Sequence, residues 1–259
     1  MSDHAPTPPA FETVEVSVEG PRGELWLARP DKLNPLSTQT LAELEDAARW
    51  FDRHPGLKVV VVGGRGRAFS AGADLGSFRG DADRGAREQG WRTGRALEEM
   101  RAVTIARIHG WCVGGGVVIA AACDLRVAST AARFSIPEID LGIPLAWGGV
   151  PRLVREIGPA LTKELVMTGR EFSPDEARAA GFLNRVVEEG DLDATLDALV
   201  ADLVAKPALS LLATKAHTNA VTESMVGTGR SWSDADGLAA GFLDPEGREV
   251  RQRYLEQRG

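Results

Sequence analysis

The chain has 259 residues, a formal net charge of -7 and a hydrophobic content of 43%. These values are typical of a soluble globular protein with an extensive core, and the acidic balance gives no general attraction for nucleic acid or anionic membranes. No apolar run reaches the ~20 residues that a membrane-spanning helix needs, and residues 1–10 lack the pattern of a signal peptide. We therefore expect a cytoplasmic protein that binds neither nucleic acid nor membranes.

The two cysteines, Cys112 and Cys123, both lie in apolar stretches. Neither has another cysteine or a histidine at metal-ligand spacing, so we predict no metal site. Both are expected to be buried free thiols in a reducing compartment.

The first part of the chain predicts a tail, a hairpin and a helix. Residues 1–10 are expected to be a disordered tail, because they offer little apolar surface to bury. Alternating valines, a Gly-Pro-Arg-Gly turn and a second apolar segment predict a β-hairpin over residues 14–27. Ser37 is the expected N-cap of a helix that carries an apolar face and ends before Pro55.

Two glycine loops follow two strands. Residues 59–62 are four valines, a run typical of a strand buried on both faces, and they lead into a loop over residues 63–75. The polar stretch over residues 77–93 is either a mobile insertion or a solvated helix. Residues 105–108 predict a second buried strand, which leads into a triple-glycine turn and an apolar helix. Two such turns can present two backbone amides to one point.

The triple glycine, residues 114–116, is a candidate anion or oxyanion site. Glycines at a helix start let a ligand approach the bare backbone, where the N–H groups and the helix dipole favour negative charge. A tight turn in which glycine only relieves crowding is an equal alternative. The spacing matches neither the dinucleotide fingerprint nor a phosphate-binding loop.

The second part of the chain predicts short strands, an apolar loop and helices. The loop over residues 137–149 carries two acids, Glu138 and Asp140. The other predicted elements are strands at 125–128, 133–136 and 183–187, helices at 150–157, from Pro159 and from Ser173, and a helical region from 191 with breaks at 206–207, 227, 237 and 244–245. The best boundary between an α/β core and a helical C-terminal part lies within residues 190–205.

Several loops, in this order, resemble the crotonase superfamily, the enoyl-CoA hydratase/isomerase family. The matching segments are residues 29–34, 67–75, 114–116, 123–126, 137–142 and 177–184. The resemblance implies an α/β fold, with a spiral of repeated ββα turns over residues 11–195 that holds an acyl-CoA site. It also implies a helical C-terminal oligomerisation segment, residues 196–259, in a homotrimer or a dimer of trimers, and coenzyme A thioester substrates.

On matching positions, the resemblance assigns the catalytic groups. It places two backbone N–H donors to the thioester oxygen at Ala73 and Gly115, and a catalytic glutamate at Glu138. Such donors are typically worth about 3 kcal/mol each, because negative charge develops on that oxygen. A carboxylate in apolar surroundings suits proton transfer at carbon, since desolvation raises its pKa. The alternative for Glu138 is a capping acid on the surface.

The resemblance also places the coenzyme A moiety of the substrate. It would lie along two loops, one with Lys32 and Leu33 and one with Ala71 and Asp74. Lys32 is then near polar or phosphate groups, although an ordinary solvated lysine is an equal alternative. No cofactor is expected besides the coenzyme A of the substrate.

The chain departs from the family's hydratases at Val118, where they carry a second glutamate. A single carboxylate suffices to move a proton from Cα to Cγ of a 3-enoyl thioester through a dienolate, as in family isomerases. The residues therefore favour enoyl-CoA isomerisation. One alternative is a hydratase in which Asp140 replaces the missing glutamate, since a two-residue offset in an extended segment would put it on the face of Glu138. Another is a non-catalytic acyl-CoA-binding subunit.

Two further hypotheses concern other side chains. Three aromatic residues are candidates to line the acyl pocket, although such residues are more often part of a core: Trp147, Phe78 and Trp91. Ser70, His109 and Asp124 provide the residue types of a Ser-His-Asp hydrolase. No Gly-x-Ser-x-Gly elbow surrounds a serine, and a histidine at a strand end is usually structural, so a thioester hydrolase or decarboxylase on the crotonase scaffold is the more plausible hydrolytic or lytic alternative.

Overall fold

The structure is a computed structural model that describes residues 7–74, 76, 84–231 and 233–256. Its strands are β1 (Val14–Glu19), β2 (Arg22–Leu27), β3 (Val59–Gly64), β4 (Ala68–Ser70), β5 (Val103–Ile108), β6 (Trp111–Val113), β7 (Leu125–Ser129), β8 (Arg133–Ser135) and β9 (Arg185–Val187). Its α-helices are α1 (Thr38–Phe51), α2 (Arg84–Glu99), α3 (Gly115–Ala121), α4 (Gly149–Thr168), α5 (Pro174–Ala179), α6 (Leu192–Val204), α7 (Ala208–Met225), α8 (Asp234–Leu243) and α9 (Pro245–Glu256). Short 3-10 helices cover Pro30–Lys32, Pro137–Leu141, Glu189–Asp191 and Thr228–Ser231.

The strands of the described residues form two sheets. The larger has six strands in the order β1-β2-β3-β5-β7-β9, and the smaller has three in the order β4-β6-β8. Only β1 and β2 pair antiparallel, as the predicted hairpin requires, and all other pairs are parallel.

The chain winds through these sheets in repeated turns. The sets β3-β4-α2, β5-β6-α3 and β7-β8-α4 each place one strand in the large sheet, one in the small sheet and then a helix, with the 3-10 helix Pro137–Leu141 preceding α4 in the third set. This confirms the α/β spiral of ββα turns. The sequence pattern did not predict β4 and β6, because a strand of three residues is too short to show an alternating pattern.

The large sheet is buried on both faces, as the valine run of β3 predicts. Val60 and Val62 lie in the main core, whereas Val59 and Val61 pack against α6 on the other face. The predicted division between residues 195 and 196 falls inside α6, and it stays a prediction.

Most predicted helix boundaries agree with the structure. The Ser37 hydroxyl caps α1 by accepting a hydrogen bond from the Thr40 N–H at 3.1 Å. The two helices predicted on either side of Pro159 meet at Gly158, where φ is 73° and the helical path is broken. The breaks at 206–207, 227 and 244–245 separate α6 to α9, but the break predicted at Gly237 is wrong. Gly237 lies inside α8, next to Pro144.

The remaining predictions concern the tail, the polar stretch and the cysteines. Residues 1–6 of the tail lie outside the described residues, and the Thr7 carbonyl accepts a hydrogen bond from the Trp50 indole at 3.1 Å. The polar stretch is helical from Arg84 onward, and residues 77–83 lie outside the described part. Cys112 and Cys123 are buried free thiols, and burial raises the pKa of each. In the ranges that the structure describes, no helix combines the length and apolar character needed to cross a membrane.

Candidate functional site

The two glycine loops predicted to share a site lie side by side. The first loop forms an isolated parallel β-bridge between Ala73 and Leu36. The Leu36 N–H donates to the Gly72 carbonyl at 2.8 Å, and the Leu36 carbonyl accepts from the Asp74 N–H at 3.0 Å. A Cβ on Gly72 would lie 2.7 Å from the carbonyl oxygen of Val113, at the end of β6. This close backbone contact sets Ala73 beside the first turn of α3, and Ala73 and Gly115 line the same cavity.

The N–H groups of Ala73 and Gly115 are both available to a ligand. The Leu36 carbonyl accepts a hydrogen bond from the Asp74 N–H. The N–H of the preceding residue, Ala73, points away from Leu36, because successive N–H groups of an extended segment point in opposite directions. Gly115 is the first residue of α3, where a helix has no internal acceptor for its N–H. Within the described ranges, no hydrogen bond takes up either N–H. Both N–H groups can therefore donate to a ligand in this cavity.

Glu138 lies between two cavities and is buried. The 3-10 helix Pro137–Leu141 carries it, and 9% of its surface is exposed. Its Oε2 atom has no hydrogen-bond partner within the part of the chain that the structure describes. The burial raises the pKa of its carboxyl to about 7, although its own backbone N–H acts in the opposite direction. A group that titrates near neutral pH is suited to both accept and return a proton.

The carboxyl of Glu138 reaches this position because of Gly114. The backbone at Gly114 has φ 49° and ψ -115°, a conformation that residues with a side chain rarely adopt. A Cβ there would collide with Oε1 of Glu138. The triple glycine thus serves two purposes: Gly115 offers an N–H, and Gly114 makes room for the carboxyl.

The raised pKa of Glu138 predicts how the stability of the protein depends on pH. The folded state holds this proton more tightly than the unfolded state, so the residue carries no ionisation penalty below pH 4.5. Between pH 4.5 and about 7 the unfolded state ionises while the folded state still holds the proton, so the unfolding free energy falls by about 3 kcal/mol and then levels off above pH 7. Glu138→Gln removes this titration. The unfolding free energy of this variant and of wild type is measured with urea at pH 5 and at pH 8. The difference, variant minus wild type, is expected to be about 3 kcal/mol larger at pH 8 than at pH 5.

The control for that measurement is Glu171→Gln, because the Glu171 side chain is exposed. It is expected to change the unfolding free energy equally at both pH values. Parallel pH profiles for wild type and Glu138→Gln would contradict the assignment of a buried, neutral-pH carboxyl.

Among the residues that the structure describes, the first cavity has one titratable group on its wall, Glu138. Val118, 1% exposed, lies on its wall. The rest of the wall is apolar and comes from the loop over residues 143–147 and from α8. The cavity has a volume of only about 30 Å³. The second cavity, of about 290 Å³, extends from Glu138 toward Leu33 and Ala71.

Asp140 does not face either cavity. The segment is a 3-10 helix with three residues per turn, so an offset of two residues turns the side chain away from that of Glu138. Asp140 is exposed, and its carboxyl lies against Gly169 at the end of α4. The prediction that Asp140 lies on the same face as Glu138 assumed an extended segment, and it is wrong.

The residues expected along coenzyme A have different surroundings. Leu33 and Ala71 line the second cavity, and Leu33 has a positive φ of 61°. Lys32 is exposed to solvent beside them. Asp74 pairs with Arg29 at 3.4 Å and accepts a hydrogen bond from the Gly76 N–H at 3.2 Å, so it stabilises the loop.

Asn34 ties the two loops together, a role that the sequence did not reveal. Its side-chain amide donates to the carbonyls of Arg65 and Ala68 at 2.8 and 2.9 Å, and its side-chain oxygen accepts from the Arg29 N–H. The Ser70 hydroxyl donates to the Asn34 carbonyl at 2.8 Å. Asn34 is buried, and its φ of 54° suits an asparagine better than most residues.

The Ser-His-Asp hypothesis is wrong, because the three side chains have other partners. The Ser70 hydroxyl is held by Asn34. His109 bonds through Nε2 to the Gly66 carbonyl at 2.7 Å and through Nδ1 to Arg107, and burial lowers its pKa. Asp124 bonds to Thr104 and pairs with Lys215 at 2.7 Å. His109 is thus structural, as its position at a strand end indicated.

The C-terminal helices complete the site. Leu238 and Phe242 of α8 line the first cavity, and Tyr254 of α9 lines the second. The sequence predicts helices in this region but does not indicate which face of α8 or α9 contacts the site. Of the aromatic candidates, Trp147 lines the first cavity, Trp91 faces a surface groove between α1 and α2, and Phe78 lies outside the described residues.

Known proteins match this chain over most of its length. The family model for enoyl-CoA hydratase/isomerase matches residues 23–259. A crotonyl-CoA hydratase of Syntrophomonas wolfei is 30% identical over 253 residues, which cover 96% of this chain and 97% of that protein. A peroxisomal Delta(3,5)-Delta(2,4)-dienoyl-CoA isomerase of Arabidopsis thaliana is 32% identical over 226 residues, 80% of this chain and 81% of that protein.

A solved structure of similar fold contains a thioester. It is a putative enoyl-CoA hydratase from Thermobifida fusca in complex with acetoacetyl-CoA, with a TM-score of 0.73 and 28% identity. The match covers 84% of this chain and 94% of that one. These similar proteins include both hydratases and an isomerase, so their names do not distinguish hydration from isomerisation for this chain.

Proposed function

The chain belongs to the enoyl-CoA hydratase/isomerase family, and from this membership we propose that it is an enoyl-CoA isomerase that moves the double bond of a 3-enoyl-CoA to the 2-position. The proposal rests on one observation. Among the described residues, Glu138 is the one titratable group on the wall of the first cavity, which Val118 also lines, and the family resemblance expects the second carboxylate of a hydratase at the position of Val118.

In the proposed reaction, Glu138 carries the proton between two carbons. Its carboxylate takes a proton from Cα of the 3-enoyl thioester, and the electron pair moves into a dienolate whose charge lies on the thioester oxygen. The N–H groups of Ala73 and Gly115 stabilise that oxygen, at about 3 kcal/mol for each donor. The protonated Glu138 then returns the proton to Cγ, the double bond settles at the 2-position, and the carboxylate is restored. A pKa of about 7 supports both halves of the cycle.

Hydration needs a second proton-transferring group, which the described wall of the first cavity does not provide. Addition of water to a 2-enoyl-CoA requires one group to activate the water and another to supply the proton at Cα. Val118 has no ionisable atom, and Asp140 faces away from the cavity.

A hydratase is the second candidate function, favoured by the crotonyl-CoA hydratase that resembles nearly the whole chain. In that case Ser135 and Tyr254, on the wall of the second cavity, are the described side chains besides Glu138 that carry a transferable proton. A subunit that binds acyl-CoA without turnover is the third candidate, since loss of one carboxylate also fits a lost activity.

One product-resolved assay separates these candidates. Purified protein is incubated separately with a 3-enoyl-CoA and with a 2-enoyl-CoA, and the products are resolved by chromatography. We expect interconversion of the two enoyl thioesters and little 3-hydroxyacyl-CoA. Rapid formation of 3-hydroxyacyl-CoA from the 2-enoyl-CoA would contradict the proposal, and binding without any product would favour the third candidate.

The remaining features of the proposed enzyme follow the family. Coenzyme A would lie along Leu33 and Ala71, with Lys32 and Asp74 at the solvent side, and no other cofactor is needed. We propose a homotrimer or dimer of trimers in the cytoplasm. Large apolar side chains exposed on α4 and α7 support an oligomer: Met167, Leu209, Val221 and Met225.

A further inference from the structure

Trp147 adopts a backbone conformation that bulky residues seldom take. Its φ is 59°, and the next residue, Gly148, has a φ of 69°. The left-handed region is crowded for any residue with a Cβ, so a tryptophan there persists only where its surroundings hold it. No sequence pattern requires an aromatic residue at this position.

Three helices hold the backbone of Trp147 in place. The Trp147 carbonyl accepts a hydrogen bond from Nη1 of Arg152 at 3.0 Å, and Nη2 of Arg152 pairs with Glu98 of α2 at 2.8 Å. Arg152 lies on α4 and is 1% exposed. From α8, the Asp234 carboxyl accepts from the Gly148 N–H at 2.8 Å. A buried arginine and a carboxylate thus fix the turn from both sides.

This conformation directs the indole into the first cavity. The ring packs between two glycines, Gly90 of α2 and Gly115 at the oxyanion position, and a Cβ on either glycine would collide with it. The ring is buried and lines the cavity together with Val118 and Glu138. The volume that remains is about 30 Å³, against about 290 Å³ in the second cavity.

We propose that Trp147 determines the acyl-chain specificity of the site. Its indole closes the cavity just beyond the carbons that exchange the proton, so the site accepts short acyl thioesters of crotonyl size and rejects medium-chain ones. This inference rests on the proposed function only in taking the site to bind acyl-CoA. A hydrophobic pocket discriminates between substrates that differ by one methylene group by about 10- to 200-fold. Removal of a whole indole from the wall should therefore have a large effect on chain-length preference.

The test measures binding, so that it does not depend on turnover. Dissociation constants of butyryl-CoA and octanoyl-CoA, both saturated, are determined by calorimetry for wild type, Trp147→Gly and Trp147→Phe. Glycine adopts the left-handed conformation without strain, and phenylalanine retains a ring. We expect wild type to bind butyryl-CoA at least 10-fold more tightly than octanoyl-CoA. Trp147→Gly should bind octanoyl-CoA at least 10-fold more tightly than wild type does, and Trp147→Phe should stay closer to wild type.

Each outcome decides a different claim. Equal affinity of wild type for the two thioesters overturns the specificity inference, and this result needs no variant to fold. An equal change of both affinities in Trp147→Gly overturns it as well. Failure of wild type to bind either thioester would instead contradict the acyl-CoA site itself, and short-chain selectivity without turnover would contradict only the isomerase proposal.

Discussion

Replacing Glu138 by glutamine is expected to lower kcat for enoyl-CoA isomerisation about a thousandfold, within the 10²- to 10⁴-fold range of general acid-base catalysis. Glutamine keeps the size of the side chain but can neither accept the Cα proton nor deliver one to Cγ. Steady-state kinetics with a 3-enoyl-CoA measure the effect. KM should change little, because the N–H groups of Ala73 and Gly115 are retained.

The matched control is Asp140→Asn, two residues away in the same 3-10 helix. It is expected to retain kcat within about twofold, since the Asp140 carboxyl faces Gly169 rather than the cavities. Urea unfolding of Glu138→Gln separates a chemical loss from misfolding. A Glu138→Gln variant with wild-type kcat would exclude this residue as the acid-base group, and a large loss in Asp140→Asn would bring the second carboxylate back into the reaction.

The variant Val118→Glu is expected to raise the rate of 2-enoyl-CoA hydration at least 100-fold over wild type. Val118 and Glu138 line the same cavity, so a carboxylate at 118 adds the second group that water addition requires. The measurement is the rate of 3-hydroxyacyl-CoA formation. Because position 118 is 1% exposed, the variant is also expected to lose stability, by the cost of burying a polar group.

Val118→Gln is the control for that variant, because glutamine has nearly the same shape and polarity without an ionisable group. It should destabilise the fold in a similar way and hydrate no faster than wild type. Equal hydration rates in the two variants would mean that the missing carboxylate is not what limits hydration in this protein.

The sequence predicts much of the framework of this site, because the framework consists of backbone turns. The glycines at 114–116 and the loop at 71–74 mark two places where the backbone must come close to another group, and the structure brings them to one cavity. Glu138 was identifiable from its apolar neighbours and its match to the family. The structure adds a reason for Gly114 that helix geometry alone does not suggest, namely contact with the Glu138 carboxyl.

Other parts of the site depend on tertiary contacts that no local pattern encodes. The direction of Asp140 depends on whether residues 137–141 are extended or 3-10 helical, and both conformations suit the sequence. The placement of Tyr254 depends on the close approach of Gly142 to Gly247, which brings α9 against the 3-10 helix, and that of Leu238 on the close approach of Gly241 of α8 to the Gly142 carbonyl. The left-handed conformation of Trp147 depends on a buried arginine and on Asp234, which is far away in the sequence.

The fate of the transferred proton tests the role of Glu138 most directly. A 3-enoyl-CoA that carries deuterium at Cα is converted in ordinary water under single-turnover conditions, and the product is analysed by mass spectrometry and NMR. Because one buried carboxyl takes the Cα proton and returns it to Cγ, we predict that a substantial fraction of the deuterium appears at Cγ of the 2-enoyl-CoA. A product that carries only solvent hydrogen at Cγ, even at the earliest times, would contradict transfer by a single shielded carboxylate.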